Sequence, residues 1–80
     1  MPKLKVLSGI ELLRIFSIFG FNIKSQKGSH VKIFRKINSI EQILTIPNHN
    51  ELDKGTIKAI IRQASKYIPE SELKKYFYSE

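Results

Sequence analysis

Eighty residues suffice for one domain, here read as residues 1–80, with a small core and room only for an open, shallow site. The absence of cysteine excludes disulfide frameworks and thiolate metal sites. No apolar signal segment follows the basic start, so a cytoplasmic location is expected. Fourteen Lys and Arg against seven Asp and Glu leave a net charge of +7, and no acidic residue falls between Leu12 and Ile40. A surplus of this kind attracts polyanions: nucleic acid, anionic lipid or an acidic protein partner.

Residues 1–7 read as a short extended lead-in. Ser8-Gly9-Ile10-Glu11 has the spacing of a capping box, in which hydroxyl and carboxylate each satisfy the other residue's amide. A helix follows, with Leu12, Leu13, Phe16 and Phe19 at helical spacing, Ile15 and Ile18 widening the apolar stripe, and Arg14 and Ser17 on the wetter side. Gly20 is its natural stop. The run Leu12–Phe21 is broken by Arg14, Ser17 and Gly20 and is too short to cross a bilayer, so no membrane partner is expected.

From Phe21 the period changes to two. Phe21, Ile23 and Ser25 alternate with Asn22, Lys24 and Gln26, and Lys27-Gly28 makes a tight turn. In the next strand Val31, Ile33 and Arg35 share one face, and His30, Lys32 and Phe34 the other. Asn38-Ser39 supplies a second turn, Glu41 to Ile46 a third strand ended by Pro47, and Asn48 to Glu51 a loop. Asp53 can cap a second helix from Lys54 to about Tyr67, buried through Ile57, Ile60, Ile61 and Ala64. Lys54, Lys58, Arg62 and Lys66 form a basic ridge across from that stripe. Pro69 suits the first position of a short last helix, with Glu70 and Glu72 in its first turn. Leu73, Tyr76 and Phe77 would dock it. The predicted architecture is α+β, in the order α-β-β-β-α plus a short C-terminal helix. Its three-stranded antiparallel sheet is covered on one face, like a double-stranded-RNA-binding domain.

Several segments together resemble the HicA (YcfA-like) toxins. Gln26-Lys27-Gly28-Ser29-His30 looks like that family's Gly-Ser-His signature at a strand turn. Leu44-Thr45-Ile46-Pro47-Asn48-His49 is similar to its segment of apolar residues, proline and histidine. Glu51 to Ile57, followed by Ile60-Ile61-Arg62-Gln63-Ala64, looks like its second helix. Leu7-Ser8-Gly9 and Gly20-Phe21 fit as well. Ser65 stands where the family usually has glycine. The resemblance runs from about residue 4 to residue 77. It implies a fold similar to the double-stranded-RNA-binding domain and an mRNA interferase activity, with the motif histidine, His30, required for toxicity. It also implies neutralisation by a HicB-type antitoxin.

RNA carries its own nucleophile, the 2′-hydroxyl. A protein has only to move protons and stabilise the crowded phosphorane. Imidazole serves as general base or acid near neutral pH, and lysine stabilises phosphate charge. On residues alone, His30 reads either as a surface histidine at a strand start or as such a group, and the resemblance selects the second. Gly28 and Ser29 would let a backbone approach closely and offer amides to a phosphate, with Lys27 and Lys32 holding it. Lys54, Lys58 and Arg62 are a solvated helix face or a phosphate rail. His49 is a second acid/base group, a phosphate contact, or a loop residue near a helix cap. Two histidines without cysteine or clustered carboxylates make a weak metal site, so neither metal nor cofactor is expected. Tyr67, Tyr76, Phe77 and Tyr78 read as packing residues. The competing functions are a basic RNA-binding module without catalysis, and a domain whose basic surface serves an acidic antitoxin.

Overall fold

A computed structural model describes residues 2–79. The elements run β1 (Lys3–Leu4), α1 (Gly9–Ile18), β2 (Asn22–Lys27), β3 (His30–Ile37), β4 (Ile40–Pro47), α2 (Lys54–Ala64), α3 (Glu70–Phe77) and β5 (Tyr78–Ser79). The main sheet has three strands, all antiparallel, in the order β2-β3-β4, and the helices cover one face of it. Within the lead-in, β1 pairs with β5, an antiparallel ribbon that the sequence pattern does not announce because each strand has only two residues. Among the described residues no helix is long and apolar enough to cross a membrane.

The helices begin and end where their capping chemistry dictates. Ser8 and Glu11 form the full capping box, at 2.9 and 3.1 Å. The Ser8 amide, then its hydroxyl, hold the Glu11 carboxyl below its ordinary value. Asp53 accepts from the Thr56 amide at 2.7 Å and caps α2. Gly20, with φ of +92°, ends the first helical segment in the left-handed region that glycine enters at low cost. The second helix stops at Ala64, short of Tyr67, because Ser65 to Tyr67 form a turn in which the Tyr67 and Ile68 amides both donate to the Ala64 carbonyl. Pro69 is the cap residue of α3 and precedes its first helical position, Glu70.

The core lies between the helices and one sheet face. Phe16, Phe77, Leu12, Leu44, Ile46, Ile57, Leu73 and Val31 are fully enclosed in it. Phe16 meets Phe21 and Phe77 at ring distances of 5.8 and 5.9 Å. Tyr67, Tyr76 and Tyr78 pack at its margin. Two sequence expectations give way here. Ile18 does not widen the buried stripe: two residues past the enclosed Phe16, it falls on the opposite side of α1 and is 62% exposed, while Phe19 still packs against the core. The strict alternation in β2 also fails. Phe21 is buried but precedes the strand, and Ile23 is 62% exposed on the edge strand. A bulge then shifts the register between Ile23 and Ser25.

Candidate nucleic-acid interface

Register fixes which side chains meet on the sheet face that carries no helix. Residues directly opposite one another in an antiparallel pair share a face. His30 is opposite Lys27 on one side and Pro47 on the other, Lys32 opposite Ser25 and Thr45, and Phe34 opposite Asn22 and Ile43. Because Val31 and Ile33 are buried in the core between these residues, His30, Lys32 and Phe34 face away from the helices. The expected division of this strand is the one observed. His30, Lys27 and Lys32 are all exposed.

The turn that delivers His30 is Gly28-Ser29, with φ of +59° at Gly28 and no positive φ at Ser29. This is the pattern of a II′ hairpin turn, whose first central position calls for glycine. The Gln26 side-chain amide donates to the Gly28 carbonyl at 3.0 Å and braces the turn. Asn38 and Ser39 at the opposite hairpin both have positive φ, the I′ pattern.

The β4–α2 loop is tied to this end of the sheet. The Asn48 amide donates to the Ser29 carbonyl at 2.6 Å, the Gly9 amide to the His49 carbonyl at 2.9 Å, and the Leu52 amide to the Leu7 carbonyl at 2.9 Å. Gly9 is buried against that loop. A Cβ there would press on the Pro47 carbonyl oxygen and sit 2.6 Å from the Asn48 Cα. The start of α1 thereby fixes the loop, and the loop abuts the turn that carries His30. His49 is exposed in that loop, two positions beyond the partner of His30 in the chain.

Lys54, Lys58 and Arg62 do not join this group. They are exposed on α2, in the helical layer, and Lys54 and Lys58 line a shallow groove with Val6 and with Lys3, Leu4 and Tyr78 of the terminal ribbon. Arg35, part of the basic run in the sequence, is not free to meet a ligand. Its guanidinium donates to the carbonyls of Phe19 and Tyr67 at 2.7 and 3.1 Å and to Gln42 Oε1 at 2.6 Å, and it stacks 4.9 Å from the Phe21 ring centre. Among the described residues, no three or more His, Asp or Glu side chains gather in a way that could hold a metal ion.

Three features of the open face escape a reading of motifs. Ile43 lies across from Phe34, and Lys24 reaches over the Phe34 ring, 5.7 Å from its centre, while pairing with Glu41 at 2.9 Å. Alternation along the third strand would have placed Ile43. The position of Lys24 depends on the bulge, for which the sequence gives no signal.

The chain is thus a small basic α+β domain whose open sheet face carries an exposed histidine at a glycine turn with lysines around it. The family described as the HicA toxin of bacterial toxin-antitoxin systems matches residues 9–65, most of the chain, and the protein belongs to that family. It is therefore a toxin-type component of a system that includes an antitoxin. No curated protein and no solved structure matches the chain significantly. Ser65, in place of the family's glycine, is accommodated without strain. Its φ is −66°, and its hydroxyl donates to the Arg62 carbonyl at 2.7 Å.

Proposed function

We propose that the protein is an endoribonuclease, an mRNA interferase that arrests translation by cutting RNA with acid/base chemistry at His30. The observation that carries this reading is the exposed His30 imidazole on the open face, directly opposite Lys27 and next to the Gly28-Ser29 turn. In the reaction the substrate's 2′-hydroxyl loses its proton to the base, and its oxygen bonds to phosphorus. The bond from phosphorus to the 5′-oxygen then breaks, and that oxygen takes up a proton. His30 moves one of these protons. His49 or water supplies the other transfer. Lys27 and Lys32 balance charge on the phosphorane, and the amides at Gly28 and Ser29 hold the phosphate. No step requires a metal or a cofactor. Lys54, Lys58 and Arg62 offer a second line of phosphate contacts from the helical layer.

The partner that restrains the protein is a HicB-type antitoxin. Charge complementarity to a basic surface would speed its association, and an antitoxin seated over His30 would block access to RNA. Co-expression with such an antitoxin should restore growth, and failure to do so would remove it as the partner.

The direct test compares RNA cleavage by purified wild-type and His30→Ala proteins, with folding verified by circular dichroism. A folded variant slowed by about 10²–10⁴-fold, the ordinary contribution of a general acid or base, is the expected result. Unchanged cleavage would take His30 out of the mechanism. Binding without cleavage by the wild type would instead favour a non-catalytic RNA-binding module.

A further inference from the structure

We propose that the open sheet face is a single-strand platform, on which an RNA base stacks on Phe34 while Lys32 and Lys36 flank it along β3. This inference rests on the reading that RNA is the ligand, and it adds which form of RNA is bound and a residue that selects it.

Phe34 is half-buried, yet it is not part of the helix-side core. Its place in β3, between the core-facing Ile33 and the helix-bound Arg35, turns it to the open face. Ile43 lies directly across from it and is 37% exposed, so the two make an apolar step in the middle of a polar surface. The surroundings are cationic. Lys32 and Lys36 share its face on either side in β3, Lys24 lies over its ring, and Lys27 stands opposite His30. Glu41 is the one acidic residue on β2, β3 or β4. An apolar step ringed by lysines suits a ligand with flat apolar faces and a phosphate chain.

Duplex RNA does not meet that description. Its bases are stacked within the helix, and it presents phosphates and 2′-hydroxyls, with no base face for Phe34 to contact. Single strands can splay their bases onto aromatic side chains, and sheet faces in RNA-binding modules accept about two or three bases in this way. Alternate residues of a strand lie roughly 7 Å apart, so Lys32 is one step and Phe34 two steps from His30 along the same line. A base held at Phe34 would fix the register of the strand and so which phosphate reaches His30. The chemistry agrees, because in-line attack by a 2′-hydroxyl needs a backbone free to rotate into alignment. In the free protein Lys24 occupies the ring face, restrained by the partly exposed pair with Glu41. A pair of that kind is weak enough for an incoming phosphate to draw the ammonium aside.

The experiment uses a short, fully 2′-O-methylated single-stranded oligoribonucleotide carrying 2-aminopurine, and the same sequence as a blunt duplex. The probe has no nucleophile and cannot be cut. Wild type should bind the single strand more tightly than the duplex and quench the fluorescent base. Phe34→Leu should weaken single-strand binding about tenfold and abolish the quenching, within the range for loss of one base–aromatic stack. Phe34→Tyr should retain both. Equal affinity for strand and duplex, or no quenching by the wild type, would overturn the proposal. So would a folded Phe34→Leu protein that binds normally, and the wild-type measurements decide the matter even if that variant does not fold. The two readings fail separately. A protein that stacks the probe on Phe34 but leaves natural RNA intact refutes the nuclease and keeps the platform. One that cuts RNA with Phe34 dispensable does the reverse.

Discussion

Along β3 the side chains alternate between two environments. Val31, Ile33 and Arg35 enter the helical layer, where the first two are sealed in the core and the third is tied to carbonyls at the ends of both neighbouring helical segments. His30, Lys32, Phe34 and Lys36 face away, with the lysines and the histidine exposed. The same backbone thus carries stability on one side and the proposed ligand chemistry on the other. A substitution should register in unfolding or in activity according to its parity in the strand.

The sharpest contrast is between Phe16 and His30. Phe16→Ala removes a fully enclosed ring and should cost about 3–5 kcal/mol, close to the whole stability expected of a small domain. Most of the chain should then be unfolded in a urea titration. His30→Ala should leave the urea midpoint within about 0.5 kcal/mol of wild type while cleavage collapses. A large stability loss at His30 would blur the division.

Within the basic run the comparison narrows to adjacent residues. Arg35→Met leaves the Phe19 and Tyr67 carbonyls without their charged donor and should cost about 2–3 kcal/mol, whereas Lys36→Met should be nearly neutral. Equal unfolding midpoints for the two variants would mean that the guanidinium is not the staple its hydrogen bonds suggest. Gly9→Ala, at the close approach to Pro47 and Asn48, should cost a similar amount, about 1–3 kcal/mol, by overpacking.

The proposed RNA binding should separate the two basic surfaces. Replacing Lys27 and Lys32 with glutamine should lower the magnitude of the salt slope by about 0.7 for each single-strand phosphate that is no longer neutralised. Lys58→Gln with Arg62→Gln should change it less. The reverse order would move the main RNA-binding surface to α2.

The smallest effect is electrostatic and lies at the helix caps. The Thr56 amide, followed by the Thr56 side chain, holds the Asp53 carboxyl below its ordinary value, as Ser8 does for Glu11. Groups depressed on folding contribute stability that is full above their unfolded pKa and is lost as the pH falls through the folded one. Acidification from neutral through the carboxylate range should therefore destabilise the wild type, and Asp53→Ala should lessen that dependence. Ser8→Ala should cost about 1 kcal/mol in the same assay.

Much of this division was legible in the sequence because it follows from local rules. The capping box at Ser8, the stop at Gly20, the turns at Gly28 and Asn38-Ser39, and the alternation from His30 to Arg35 each depend on a few neighbouring residues. What was not legible depends on tertiary placement. Ile18 and Ile23 read as apolar positions of their elements, but one turns to the outer side of its helix and the other lies on an edge strand. The basic character of Arg35 reads like that of Lys36 until the carbonyls of Phe19 and Tyr67 are brought to it. In the candidate site, the motif marks His30 and its turn. That Lys27 stands across from it, and that Lys54, Lys58 and Arg62 lie in another layer, follows only from strand register and helix packing.

The central claim, that the face turned away from the helices is where RNA is cut, is tested most directly in cells. Wild-type and His30→Ala proteins would be induced to equal soluble levels in a bacterial host, with growth and RNA integrity followed together. Arrest with RNA breakdown for the wild type, and normal growth with intact RNA for the variant, is the predicted result. Equal arrest and equal RNA loss from both proteins would contradict it.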